Sequence, residues 1–335
     1  MQFKISRGLQ GWLAAVLVTT ASTAAADPDP IPAEMEAMYT RALRYLAGTQ
    51  GLTGAWEDRQ ARGQNFATQP GVVGLAVLAF LAHGEDTTSG PYRDIIVRGL
   101  KFILQNQDAR TGYIGTTMYN HGFATLALAE AYGAVEMPEL GPALNKAVQL
   151  ILTSQKQNPL SAWRYNAGSR DGDTTVSGAQ VVALYAARNA GIPVPDSAFD
   201  RALKFFQTCQ SRDGGFGYTP GSQGTSEPRT AIGTLVFALA KEKKSPTFAA
   251  AQRRLGQAQI NQNNYYHYFI YYAAQALFHA DMKAWETWNA AHSHRLVRTQ
   301  NPDGSWSGQR GTTFSTSMAL LSLALNYRFL PIYER

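Results

Sequence analysis

A short pattern recurs along this chain: a glutamine, then a glycine, then a tryptophan. It occurs as Gln50-Gly-Leu-Thr-Gly54-Ala-Trp56 and as Gln300-Asn-Pro-Asp-Gly304-Ser-Trp306, and weaker copies begin at Gln107, Gln155 and Gln210. Each full copy lies between two apolar segments. A glutamine at a helix end can bond backbone groups left without partners, and glycine allows the turn that follows. The repeat therefore predicts helical hairpins joined by similar corners.

The two helices of a predicted hairpin differ in their apolar pattern. Leu144, Ala147, Val148, Ile151 and Leu152 follow the spacing of an amphipathic helix with one buried face. By contrast, the segment from about residue 70 to residue 82 is apolar all round, which predicts a helix buried on every side. Six such hairpins can close into a ring of outer and inner helices, in which the terminal repeats protect each other.

This pattern resembles the QW repeat of the squalene cyclase and protein prenyltransferase superfamily, and the resemblance covers nearly the whole mature chain. It implies an all-α fold, a single (α/α)6 toroid of six helical hairpin repeats, over residues 27–335. The fifth repeat departs from the pattern because it lacks the glutamine and tryptophan corner. The repeat builds corners, so it is specific for architecture, whereas function depends on side chains placed on that scaffold.

The first 26 residues have the features of an export signal. Lys4 and Arg7 precede an apolar run that is too short to span a bilayer, and small residues lead to Ala26. We therefore expect a secreted or periplasmic protein with no transmembrane span in the mature chain. The net charge of +6 comes from scattered basic residues, which does not indicate nucleic-acid binding. Cys209 is the only cysteine, so an intramolecular disulfide is excluded.

In a toroid the starts of the inner helices surround one cavity, so residues just before or within these starts are the candidate functional residues. The starts also favour anions because of the helix dipole. The polar and aromatic residues found there are Gln69, Glu227, Thr312 and Thr313, and the eleven that we predict as site residues: Tyr119, Asn120, His121, Asp171, Asp173, Thr174, Arg229, Tyr265, Tyr266, His267 and Tyr268.

One of these segments, Arg170-Asp171-Gly-Asp173-Thr174-Thr175, resembles the Asp-x-Asp-Asp-Thr motif of squalene-hopene-type cyclases. The resemblance implies that Asp173 is a proton donor for an alkene, that Asp171 and Thr174 tune it, and that the tyrosines form an apolar wall around an isoprenoid ligand. Thr174 stands where that motif has its last aspartate. The alternative is structural: aspartate is among the best N-cap residues, so Asp173 would cap its helix and Asp171 would lie in a turn.

Two further hypotheses remain open from the sequence. Helical barrels also host carbohydrate lyases and hydrolases, and His121, His267, Asn120, Arg229 and the tyrosines are residue types that such sites use for a saccharide ligand. A non-catalytic binding or interaction scaffold is the other. Tyr266-His267-Tyr268 is similar to a histidine-bearing helix start of the zinc prenyltransferases, but Cys209 falls on an outer helix. We therefore predict no metal and no cofactor, and leave the oligomeric state undetermined.

Overall fold

A computed structural model describes residues 31–58, 66–222, 224–258 and 265–333. The predicted export signal and most of the loop before Tyr265 lie outside the described residues. Twelve α-helices occur in the described part: α1 Ala33–Thr49, α2 Pro70–Leu81, α3 Arg93–Gln105, α4 Met118–Ala131, α5 Leu140–Gln157, α6 Thr174–Asn189, α7 Asp196–Cys209, α8 Glu227–Leu239, α9 Pro246–Gly256, α10 Tyr266–Ala280, α11 Met282–Thr299 and α12 Thr312–Leu323. None of these helices is long and apolar enough to cross a membrane.

The even-numbered helices form the inner ring. Each packs against the next in the order α2, α4, α6, α8, α10 and α12, and α12 packs against α2, which closes the ring. The odd-numbered helices lie outside and bury one face each. This is the predicted toroid of six hairpins, and the prediction of an all-α fold is confirmed.

Inner helices approach each other closely because small residues face their neighbours. Every residue of α2 is buried, as its uniform apolarity predicts. A Cβ atom added at Gly74 would lie 3.0 Å from the carbonyl oxygen of Phe123 and 3.1 Å from the side chain of Ala127. A larger residue at this position would push α2 and α4 apart.

The repeated corners are built by the glutamines. The Gln300 side-chain nitrogen donates to the carbonyls of Gly304 and of Met38 in α1, both at 2.9 Å, so the last corner is bonded to the first helix. Gly304 has a φ of +92°, and a Cβ atom there would lie 2.5 Å from the carbonyl oxygen of Arg41. Only glycine fits this turn against the neighbouring helix. The Trp306 indole nitrogen donates to the carbonyl of Leu296 at 3.1 Å.

The carboxyl ends of two inner helices are covered by the last described residues of the chain. Ile332 and Tyr333 are buried. The amide of Ile332 donates to the carboxylate of Glu130 near the end of α4, at 3.4 Å. The side chain of Asn189, the last residue of α6, donates to the carbonyl of Pro331 at 3.4 Å. The inner helices therefore begin at the cavity described next, and at least two of them end beneath this segment.

Candidate functional site

A cavity of about 860 Å³ lies at the amino ends of the inner helices. Residues from the starts of all six inner helices line it, as the toroid geometry predicts. Eleven apolar or tyrosine residues and eleven other polar or charged residues form its wall together with Gly71, and apolar atoms provide most of its exposed surface. The apolar residues of the wall are Phe66, Val72, Leu75, Phe123, Pro228 and Phe314. Its tyrosines are Tyr119, Tyr165, Tyr218, Tyr265 and Tyr268.

The structure divides the predicted site residues into two groups. One group lines the cavity: Tyr119, Asn120, Arg229, Tyr265, His267 and Tyr268. The other group is absent from the lining: His121, Asp171, Asp173, Thr174 and Tyr266. Residues from both groups occur in the same helix starts, so the direction in which each side chain points decides its environment.

Asp173 is fully buried and caps α6. Its Oδ1 accepts hydrogen bonds from the amides of Thr175 and Val176, both at 2.8 Å, and from the hydroxyl of Thr175 at 2.6 Å. Its Oδ2 is 3.7 Å from Nε of Arg164. Burial raises the pKa of the Asp173 carboxyl, although the hydrogen bonds and Arg164 act in the opposite direction. Asp173 therefore occupies the capping position that the structural alternative predicts.

The two predicted tuning residues lie away from the cavity. The Asp171 side chain is 66% exposed, and its Oδ2 is 3.7 Å from the same Arg164 nitrogen. The hydroxyl of Thr174 donates to the carbonyl of Gly217 at 2.9 Å, which ties the start of α6 to the following corner. Thr175, not Thr174, is the residue of this segment that lines the cavity.

His121 bonds the preceding corner and α5, and it does not line the cavity. Its Nδ1 accepts from the amide of Ile114 at 3.1 Å, and its Nε2 is 3.0 Å from the carbonyl of Ala147 in α5. These partners require a neutral ring protonated on Nε2. Complete burial lowers the pKa of His121 to about 4, so the ring is neutral near pH 7. With both nitrogens engaged inside the protein, the predicted catalytic use of His121 has no support from its position.

The aromatic helix start contributes three of its four predicted residues to the cavity. Tyr266 is buried outside it, with the guanidinium of Arg295 5.3 Å from its ring centroid. His267 and Tyr268 line the wall, and Tyr265 is 54% exposed beside the opening. Burial lowers the pKa of His267 to about 4, so this ring too is neutral near pH 7 and can accept or donate one hydrogen bond.

A pair of tyrosines that is absent from the predicted site residues lies on one wall. The hydroxyls of Tyr165 and Tyr218 lie 2.6 Å apart. The Arg164 guanidinium carbon is 5.3 Å and 5.0 Å from their ring centroids, a cation–π arrangement on both. Each tyrosine follows the aromatic residue of its corner, Trp163 or Phe216, by two positions. This shared spacing is the signal that could have predicted the pair.

Metal ligands are not grouped in the described chain. No cluster of three or more histidine, cysteine, aspartate or glutamate residues able to hold a metal ion occurs among the described residues. Cys209 is buried at the end of α7, where burial raises the pKa of its thiol to about 12. A thiol in that state is a packing group and a poor ligand or nucleophile near pH 7.

No family model and no curated protein matches this chain. Among solved structures, it is similar to a type II terpene cyclase, MstE from Scytonema, with 16% identity, a TM-score of 0.59, and coverage of 89% of this chain and 98% of that one. The fold is that of a terpenoid cyclase-like toroid. It is also similar to the α-1,6-mannanase GH76A of Salegentibacter sp. HEL1_6, with 9% identity, a TM-score of 0.65, and coverage of 87% and 99%. These identities establish the fold alone.

Proposed function

We propose that the cavity binds the apolar chain of an isoprenoid-type ligand. The observation that carries this proposal is the mainly apolar surface of the cavity, to which six apolar residues and five tyrosines contribute. A volume of about 860 Å³ is within the range of small-molecule sites. The terpene cyclase of similar fold has been solved with a geranylgeranyl-bearing substrate, so a toroid of this kind can enclose such a chain.

The saccharide alternative has less support from the wall. Glycoside hydrolysis generally needs two carboxyl groups on either side of the bond that breaks. No aspartate or glutamate of the described residues lines this cavity. The mannanase of similar fold has a variant, altered at two neighbouring aspartates, that is described as inactive. In this chain two carboxyls lie two residues apart, at Asp171 and Asp173. Asp171 is exposed and Asp173 is buried, and neither lines the cavity.

Acid-initiated cyclisation is the finer form of the proposal, with Asp173 as the proton donor. Its support is the buried carboxyl with a raised pKa, whose Oδ2 accepts no hydrogen bond from the described residues. The reaction requires Oδ2 to reach the ligand past the wall to which Thr175 belongs. A movement of the α6 start would be needed, and the cap bonds of Asp173 oppose it.

Replacing Phe314 with alanine tests the binding proposal. Phe314 is half-buried and lines the cavity. Loss of its ring contacts is expected to weaken the binding of geranylgeraniol about tenfold, measured by equilibrium dialysis and mass spectrometry. The matched control is Phe329→Ala, because Phe329 is 60% exposed and does not line the cavity. Binding of mannotetraose but not of geranylgeraniol would favour the saccharide hypothesis instead.

We also propose that the protein is exported, on the basis of the charged, apolar and small-residue order of residues 1–26. Expression of the full chain in a Gram-negative host is expected to yield periplasmic protein that begins at Asp27, as determined by N-terminal sequencing. Replacing Leu17 with arginine inside the apolar run should retain the protein in the cytoplasm with its leader intact. A periplasmic, processed Leu17→Arg protein would contradict the proposal.

A further inference from the structure

The charged side chains that line the cavity are all cationic. Arg229 and Arg310 contribute to the wall, and no carboxylate of the described residues does. Neither guanidinium forms an ion pair with a described carboxylate. Two guanidinium groups without a paired carboxylate favour a negatively charged occupant, and the attraction is screened less at half-buried Arg229 than at exposed Arg310.

The nearest candidate counter-charges are engaged elsewhere. Glu227, two residues before Arg229, is 3.5 Å from the guanidinium of Arg254. Asp58 accepts hydrogen bonds from the amide and hydroxyl of Thr313, at 3.1 Å and 2.7 Å, at the start of α12. Asp173 accepts hydrogen bonds from the first amides of α6. None of these three carboxylates therefore forms an ion pair with Arg229 or Arg310.

The described hydrogen bonds and ring contacts of both arginines are with uncharged groups. Arg229 is half-buried and donates from Nε to the carbonyl of Phe216 at 3.4 Å and from Nη2 to the carbonyl of Gly224 at 3.3 Å. Its guanidinium carbon is 5.9 Å from the ring centroid of Tyr218. That of Arg310 is 5.1 Å from the ring centroid of Phe66. Such contacts orient a guanidinium, and its remaining N–H groups can then donate to oxygens of a ligand.

We propose that the ligand of this cavity is amphiphilic, with one anionic group, a carboxylate or a phosphate, bound by Arg229 with a contribution from Arg310. The apolar part of the ligand lies against the phenylalanine and aliphatic wall. This inference rests on the proposed function and specifies its ligand class. The neutral His267 ring adds a polar contact and no opposing charge at the same wall.

Three probes with the same C20 chain test the proposal: geranylgeraniol, geranylgeranoic acid and geranylgeranyl monophosphate. At low ionic strength, at least one anionic probe is expected to bind the full-length protein ten or more times as tightly as the alcohol, on the order of one charge-assisted bidentate contact. That advantage should decrease as sodium chloride is added. Whichever anionic probe binds more tightly identifies the carboxylate or phosphate as the preferred group.

Arginine variants test which residues recognise the anion. Arg229→Gln and the Arg229→Gln/Arg310→Gln double variant are expected to bring the ratio of alcohol to anion Kd towards one. Arg212→Gln, which removes an equal charge from an exposed corner position outside the cavity, should keep the wild-type ratio. Thermal unfolding checks that each variant is folded. If Arg229→Gln does not fold, the exposed Arg310→Gln and the salt dependence of the wild-type ratio supply the test.

The possible outcomes separate this inference from the proposed function. Binding of the alcohol with no preference for either anion overturns the inference and leaves the isoprenoid proposal standing. An anion preference that survives the double variant also overturns it. Failure of all three probes to bind contradicts the proposed function itself.

Discussion

Replacing Trp306 with alanine is expected to lower the free energy of unfolding by about 3–5 kcal/mol, the usual cost of removing a buried large aromatic side chain. Trp306 is 2% exposed, and its indole lies over the corner that joins α11 to α12. The variant loses the bond to Leu296 as well as the ring contacts. Urea denaturation followed by far-ultraviolet circular dichroism measures the change.

The matched control is Trp288→Ala on the preceding outer helix. Trp288 is half-buried and stacks on His292 with ring centroids 4.3 Å apart. Because less of its surface is removed from water, the loss is expected to be less than half of that for Trp306→Ala. Equal losses for the two variants would mean that the corner contributes no more than an ordinary surface-facing ring.

The effect of Trp306 should extend beyond its own hairpin, because the ring is closed. Gln300 in the same corner bonds α1, and α12 packs against α2, so this corner joins the last repeat to the first. In an open array each repeat depends only on its neighbours in sequence. In this closed ring, a change in the corner weakens the packing of the last repeat and also its contact with the first repeat.

The fold could be predicted from the sequence because its determinants are local. Gln50 and Gln300 each donate to the carbonyl of the glycine four residues later, so a few consecutive residues determine the corner. The difference between amphipathic α5 and uniformly apolar α2 likewise separates outer from inner helices. The corner and the apolar pattern of each helix can therefore be recognised without knowledge of contacts between residues distant in the sequence.

The site was less predictable because neighbouring residues of a helix start point in different directions. Successive helical residues are rotated by about 100°. Tyr119 and Asn120 therefore reach the cavity while His121 is buried against α5. In the same way His267 faces the cavity and Tyr266 does not. The sequence therefore predicts that the starts of the inner helices surround the cavity. It does not predict how each helix is rotated about its axis, and that rotation decides which side chains point into the cavity.

Two cavity residues were missed for a related reason. Tyr165 and Tyr218 belong to corners, and the corner pattern by itself predicts only a structural role. In these two corners the second residue after the aromatic lines the cavity, whereas Asp58 and Gly308, at the same offset from Trp56 and Trp306, do not. Ile114 pairs with Gln107 as Phe216 pairs with Gln210, and Thr116, two residues after Ile114, also lines the cavity.

Replacing Asp173 with alanine is expected to destabilise the protein by about 2–3 kcal/mol near pH 7, because two amides at the start of α6 lose their acceptor. Asp173→Asn keeps a side-chain oxygen at the cap and should lose less. Urea denaturation measures both. If the two variants were equally destabilised, the charge and not the cap geometry would be the stabilising feature.

The pH dependence of the same variants isolates the buried carboxyl. Burial raises the pKa of Asp173 in the folded state above its unfolded value of about 3.9. Its contribution is therefore fully present below the unfolded pKa and is lost as pH rises through the folded pKa. The free energy of unfolding of the wild type minus that of Asp173→Asn should decrease as the pH rises above the unfolded pKa of about 3.9. An increase with pH would mean that Arg164 and the cap bonds outweigh burial.

The carboxyl of Asp173 would then be ionised and could not donate a proton to an alkene. That result would exclude Asp173 as the acid of a cyclisation and leave it as the cap of α6.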